Sequence, residues 1–378
     1  MTKSFSFLFI IYLSFLVQGF ELKQYPNYES HREQFDKTIS DLTHYTVEKF
    51  NWLNPGDPKL STAVAIAKNV KLKPNKIIVI SSGIHGAEAF VGSSIQLAFI
   101  QEYLQKPNEK FDFAFVHVLN PWGMKNHRRV NVDNVDLNRN FLTDVNAFNK
   151  KNDSYEKIDQ FLNPKTKLEL HFAHNFMFVM DSMYYILRFS LESLRQAILQ
   201  GQYQFPQGIY FGGLHHDTLK NNVDEFVVQK LNSYKEIIWV DLHTGYGERG
   251  RLHLLANSAE DVNSKRLQSL FPDRKVDFGQ NQKFYKTTGD MISYLLDKST
   301  QIIGVVFEYG TMDSQKPLGS IESLRRMILE NQSFQNGRTD QNRVVAENLL
   351  LDMFNPQQNE WWQKIAPQTK DHFDELLK

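Results

Sequence analysis

Short, unbroken apolar runs alternate along this chain with longer stretches in which apolar residues recur at helical spacing. Runs of four to eight aliphatic or aromatic residues, closed by glycine, proline or asparagine, have the pattern of buried strands. Such runs lie at 61–67, 76–82, 111–119, 236–243, 252–256 and 302–309. Between the second and third, Ala89 to Gln105 places Phe90, Ile95, Leu97, Ile100 and Leu104 at helical spacing. Further helices are predicted at 262–270, 289–297, 317–330 and 340–353. An earlier one is predicted from Ser30 to Asn51, ahead of a turn at Pro55-Gly56-Asp57-Pro58. The Trp361-Trp362 segment is expected to pack on the outside. The β–α–β order with short connections predicts an α/β fold with a mixed, mostly parallel central sheet flanked by helices.

Residues 142–235 break this rhythm. They read as mostly helical, notably from Asp181 to Gln200, and then become turn-rich from Gly201-Gln202-Tyr203 to Gly212-Gly213. We expect a helical insertion between core strands of a single domain spanning 20–378. The amino terminus has a different character. Lys3 precedes an apolar run from Phe5 to Val17 that is shorter than the ~20 residues needed to span a bilayer. Val17-Gln18-Gly19 puts small or modest residues where a signal peptidase would cut. The expectation is a signal peptide over 1–19, a secreted or periplasmic protein, and no integral membrane segment after cleavage.

Composition narrows the chemistry. The 43 basic and 43 acidic residues balance, so no field steers the protein toward nucleic acid, and none is expected as a partner. Cysteine is absent, which excludes a disulfide framework and a thiol nucleophile. Any metal must be held by histidine and carboxylate, and that donor set suits a catalytic zinc better than a structural one.

Four polar motifs sit at the ends of separate apolar runs. Ile77–Ile80 leads through Ser81-Ser82-Gly83-Ile84 into His85-Gly86-Ala87-Glu88. Arg128-Arg129-Val130-Asn131 precedes Asp136-Leu137-Asn138-Arg139-Asn140-Phe141. Asp241-Leu242-His243-Thr244-Gly245 ends the run 236–240, and Phe307-Glu308-Tyr309-Gly310 ends the last run. Ligands of open α/β sheets collect outside the carboxyl ends of the strands. On a tight turn entering a helix, the three-residue spacing of His85 and Glu88 can aim both side chains at one point, with Gly83 and Gly86 easing the backbone. A catalytic zinc needs a third protein ligand and an open position, and His243 is the best candidate. Glu308, a charge ending an apolar strand, is the candidate general base. His171 with His174, and His215 with His216, are more simply surface or packing histidines than a second metal site.

Taken together, these four motifs resemble the M14 zinc carboxypeptidase superfamily, most closely its DUF2817-type branch, which is related to the succinylglutamate desuccinylase and aspartoacylase group. The resemblance covers roughly residues 60–355, and D-L-N-R-N-F is its most selective string. It implies that His85, Glu88 and His243 hold one zinc and that Asp136 hydrogen-bonds the first histidine. It also implies that Glu308 is the base, that Arg129 or its neighbour Arg128 stabilises the oxyanion, and that Asn138 and Arg139 grip the substrate carboxylate. The digestive carboxypeptidases close a mobile tyrosine over the substrate; no motif here places its equivalent, and Tyr285 or Tyr309 would be a guess. The leading expectation is a secreted metallocarboxypeptidase that hydrolyses an amide bond next to a free carboxylate of a peptide. The alternatives are a zinc-dependent deacylase of N-acyl amino acids and a non-catalytic binding protein on the same fold. The substrate would be a peptide or an N-acyl amino acid.

Overall fold

The computed structural model describes residues 20–170, 172–256, 262–278, 287–337 and 340–378. The expected signal segment 1–19, His171 and Tyr285 lie outside the described residues. Eight strands form one sheet: β1 (Thr46–Asn54), β2 (Asp57–Lys68), β3 (Lys76–Ser82), β4 (Phe111–His117), β5 (Glu236–Gly245), β6 (Leu252–Ala256), β7 (Val276–Phe278) and β8 (Ile302–Gly310). Their order is β1-β2-β4-β3-β5-β8-β6-β7. The four central strands β4, β3, β5 and β8 run parallel, while β2 joins β4 and β6 joins β8 antiparallel. This is the mixed α/β sheet that the sequence predicts.

The central strands are continuous apolar runs because both faces of the sheet are covered. Ile78, Ile80, Val240 and Phe307 belong to the core on one face, under helices Ala89–Tyr103 and Asn359–Leu376. Ile77, Val79, Trp239 and Ile302 belong to the core on the other, with helices Thr218–Phe226 and Met291–Lys298. Successive residues of a strand point to opposite faces, so one strand feeds both cores.

Three expectations need correction. The first helix is Tyr28–Ser40 and stops well short of Asn51; residues 46–54 are β1, the outer strand of a hairpin with β2. Exposed and half-buried residues alternate from Lys49 to Asn54, but only Phe50 and Trp52 are apolar on the inward side and Leu53 is apolar on the outward one, so the period is weak in the sequence. The helix foreseen from Asp181 to Gln200 is two helices, Phe172–Phe189 and Leu191–Leu199, broken at Ser190, whose φ is +65° and whose hydroxyl caps the second by accepting from the Ser193 amide. Trp361 and Trp362 do not pack outside. They are buried in the core, with the Trp361 indole donating to the Gly310 carbonyl at 2.8 Å. Among the described residues, no helix is long and apolar enough to cross a membrane.

Candidate metal centre and substrate cavity

Because β3, β5 and β8 are adjacent and parallel, their carboxyl ends lie side by side. The backbone turns out of β3 at Gly83, where φ is +69° and a side chain would collide with Ala89. Gly86 then packs against the backbone of Gly123 and Met124, where a Cβ would lie 2.1 Å from the Gly123 carbonyl carbon. The amides of Gly86 and Ala87 donate to the carbonyls of Arg129 and Arg128 at 3.1 and 2.9 Å. The H-x-x-E turn is thereby fastened to the arginine segment.

His85, Glu88 and His243 converge there, and one ligand atom from each lies within 4.8 Å of the others. All three are buried. His85 Nδ1 lies 2.8 Å from Glu88 Oε1, and His243 Nδ1 lies 3.1 Å from Glu88 Oε2. Ligand atoms about 2.1 Å from a tetrahedral ion sit roughly 3.4 Å apart, so only a small relaxation separates this arrangement from coordination. The outer nitrogens are both held by carboxylates: His85 Nε2 is 3.1 Å from Asp136 Oδ1, and His243 Nε2 is 2.7 Å from Asp241 Oδ2. Such contacts orient the ring and leave the inner Nδ1 free to coordinate. His85 Nδ1 is buried and faces the Glu88 carboxylate, the donor with which it would share an ion. The donor set therefore fits one divalent metal.

Electrostatics around the cluster are consistent with a cation site. Burial would raise the Glu88 carboxyl, but His85 and His243 hold it well below the usual range. Burial would likewise raise Asp136, but Arg129 and then His85 keep it ionised. Asp241 is fixed by the Ser81 hydroxyl at 2.6 Å, which in turn accepts from the Trp239 indole at 2.8 Å.

The two adjacent arginines part company. Arg129 donates to Glu88 Oε1 at 3.1 Å and, through Nε and Nη2, to Asp136 Oδ2 at 3.2 Å. Arg128 turns away to Glu330, which it meets at 2.6 Å, and its guanidinium lies 3.6 Å from the Phe334 ring centroid. Only Arg129 stands at the metal donors. Glu308 pairs with His243 across the β5–β8 register and accepts from the Tyr246 amide at 2.8 Å. Burial and then the Glu88 charge push its carboxyl above the ordinary range.

These groups open into a cavity of about 760 Å³ that is also lined by Asn138 and Arg139. The arginine fork is partly engaged already. Its Nε and Nη2 donate to the Leu199 carbonyl at 3.0 and 2.7 Å, and its Nη1 to the Asn138 carbonyl at 2.7 Å. Of five N–H groups, two are left for a ligand. Asn138 accepts from the Met291 amide at 2.9 Å, which leaves its own NH₂ to donate.

Tyr309 alternates with Glu308 on β8, points into the opposite core, and lies with its hydroxyl 3.1 Å from Thr369; it lines no part of the cavity. Tyrosines that do line it are Tyr185, Tyr210, Tyr246 and Tyr294. His215 is exposed, and His216 approaches the Leu142 carbonyl at 2.9 Å. Among the described residues, His85, Glu88 and His243 form the one group able to hold a metal. Sequence reasoning assigned no role to Asp241, although the D-x-H spacing on a strand places both side chains on one face. It also missed Tyr210, whose ring centroid lies 5.1 Å from the Arg129 guanidinium and which no motif marks.

The family model described as "Protein of unknown function (DUF2817)" matches residues 25–368. No curated protein matches the chain. Among solved structures, it is similar to bovine thrombin-activatable fibrinolysis inhibitor in complex with tick carboxypeptidase inhibitor, with 13% identity, 92% of this chain and 98% of that one covered, and a TM-score of 0.48. Carboxypeptidase A from Helicoverpa armigera aligns with 12% identity over 87% of this chain and 74% of that one, with a TM-score of 0.44. An aspartoacylase family protein from Mesorhizobium loti aligns with 12% identity over 79% and 71%, with a TM-score of 0.36. The chemistry has to be read from the site itself.

Proposed function

The chain belongs to the DUF2817 family, and we propose that it is a zinc-dependent hydrolase that cleaves an amide bond next to a free carboxylate, a metallocarboxypeptidase in its reaction. The observation that carries this reading is the convergence of two Nδ1 atoms and a carboxylate at 4.8 Å or less, with Glu308 beside His243 in sheet register. A zinc ion held by His85, Glu88 and His243 would polarise the scissile carbonyl and acidify a water.

The chain's own residues supply the rest. Glu308, its proton affinity raised by burial, takes a proton from the attacking water and passes it to the departing nitrogen. Arg129 stays charged in the buried site beside Asp136 and Glu88, and it faces the oxygen on which negative charge develops. The Asn138 amide and the free edge of Arg139 orient the substrate carboxylate, and hence the carbonyl to be attacked. A second reading, deacylation of N-acyl amino acids, is favoured by the helices of 142–235 that wall the cavity. Both readings cleave the same kind of bond.

The test is a mass-spectrometric screen of free-acid peptides and N-acyl amino acids with zinc-loaded protein. Release of a carboxyl-terminal amino acid is expected, and loss of no such residue from any member of the panel overturns the reading. We infer also that residues 1–19 are removed on export, leaving a single domain from near Phe20. Amino-terminal sequencing of protein from its native host tests this, and an intact Met1-Thr2-Lys3 terminus on mature material overturns it.

A further inference from the structure

The cavity has walls of two kinds. Near the sheet they are polar and carry the metal donors, Glu308, Arg129 and the Asn138-Arg139 pair. Farther out they come from the 142–235 segment and the helices Pro317–Gln335 and Asp340–Phe354. There Ile158, Phe161, Tyr185, Leu194, Ile198 and Leu324 line the space, and all of them belong to, or pack against, one apolar cluster. Tyr210 and Phe354 belong to that cluster too, and their ring centroids lie 5.1 and 6.0 Å from the Arg129 guanidinium. The apolar chamber and the metal donors are therefore contiguous.

Several polar groups in this outer wall are engaged within the chain. The Ser182 hydroxyl donates to the Phe178 carbonyl and the Ser323 hydroxyl to the Gly319 carbonyl, both at 2.8 Å. Arg195 donates to the Ser314 carbonyl at 2.8 Å and to the Ser320 hydroxyl at 3.1 Å. The wall is built largely of helices, whose interior amides and carbonyls bond to one another. An extended peptide entering here would bury its own amides and carbonyls without partners, which is unfavourable at every residue. An aliphatic chain has no such groups and is favoured by leaving water.

We propose that this chamber receives a long aliphatic acyl chain, so that the preferred substrate is an amino acid N-acylated by a fatty acid. This rests on the amide-hydrolase reading above and names its substrate class. The acyl carbonyl would lie at the metal donors, the chain in the chamber, and the amino acid carboxylate at Asn138 and Arg139. Water adds across the amide. Its oxygen joins the acyl carbon, the C–N bond breaks, and the products are the fatty acid and the free amino acid, whose nitrogen gains the proton. The cavity, at about 760 Å³, falls within the ~300–1,000 Å³ typical of small-molecule sites.

The test uses one amino acid carrying acetyl, octanoyl or dodecanoyl groups, together with an acetylated tripeptide ending in the same residue. All are assayed with the zinc-loaded protein below micelle-forming concentrations. We expect kcat/KM to rise about fourfold per added methylene until the chamber is full, and the tripeptide to be a poor substrate. Leu194→Trp, and independently Leu324→Trp, should lower the dodecanoyl-to-acetyl ratio by on the order of 10-fold by shortening the chamber. A flat series with the tripeptide cleaved best overturns the proposal and leaves the hydrolase reading standing. If nothing is cleaved, that reading fails, and calorimetric binding to the Glu308→Gln protein decides for the chamber. Affinity that rises with acyl length supports it, and affinity independent of length overturns it.

Discussion

His243 Nε2 lies 2.7 Å from Asp241 Oδ2, two residues earlier on the same strand. The contact sets the ring so that Nδ1 faces Glu88, and Ser81 and Trp239 hold the aspartate in turn. Removing the charge while keeping the shape should loosen the ring and lower the basicity of Nδ1. Asp241→Asn is therefore expected to weaken zinc affinity by roughly 10–100-fold, as measured by competition with a chelating dye. Unchanged affinity would mean that the aspartate only packs.

The ligand itself should matter more than its support. His243→Ala should lose bound zinc on dialysis while wild type retains about one ion per chain, with metal content read by mass spectrometry. Equal retention by both proteins would remove His243 from the site.

Glu308→Gln keeps the size of the side chain and its acceptance of the Tyr246 amide, but it cannot take up a proton. We expect the mutant to fold and bind zinc normally and to lose on the order of 10²-fold or more in kcat. Near-normal turnover by a fully metallated mutant would place the base elsewhere.

Recognition of the substrate carboxylate predicts that a free-acid substrate is cleaved far better than its amide. Arg139 also braces the Leu199 carbonyl, so its removal disturbs the wall as well as the grip. Comparing kcat/KM for acid and amide separates the two effects. Arg139→Ala should slow both and narrow the gap by penalising the acid more. Equal cleavage of acid and amide by wild type would refute the carboxylate role.

A pH effect on stability arises far from the site. Ser93 Oγ lies 2.8 Å from His31 Nδ1 and 2.7 Å from His117 Nε2, with both histidines buried in the core. Burial pulls the His31 imidazole down to about 4 and His117 well below its ordinary value. The unfolded chain, titrating near 6.5, then binds more protons than the folded one. The contribution is fully present above pH 6.5 and is lost as pH falls toward 4. For His31 alone, about 2 kcal/mol should disappear between pH 7.5 and 5. Denaturant titrations at the two pH values should show a smaller loss in His31→Phe than in wild type.

Much of this protein was legible along the chain because its central strands are buried on both faces. Ile77–Ile80, Ile237–Val240 and Ile302–Phe307 announce themselves as unbroken apolar runs, and polar residues at their ends stand out for the same reason. His85, Glu88, His243 and Glu308 could be singled out on that ground, and the adjacency of their parallel strands brings them together. The D-x-H alternation puts Asp241 on the same face as His243, a signal that the sequence reading passed over. Other features depend on residues distant in the chain. Arg128 and Arg129 are equivalent as text; what parts them is Glu330, about two hundred residues away, which claims the first and leaves the second to Glu88 and Asp136. Arg139 reads as a free fork until the Leu199 carbonyl is seen against it. The edge strand β1 shows only a short period, because Phe50 and Trp52 pack inward on the core while the exposed Leu53 breaks the apolar alternation. The apolar chamber is invisible for a related reason. Its walls come from helices up to about 190 residues apart, each with an ordinary apolar face, and only their packing around the metal donors makes those faces one surface.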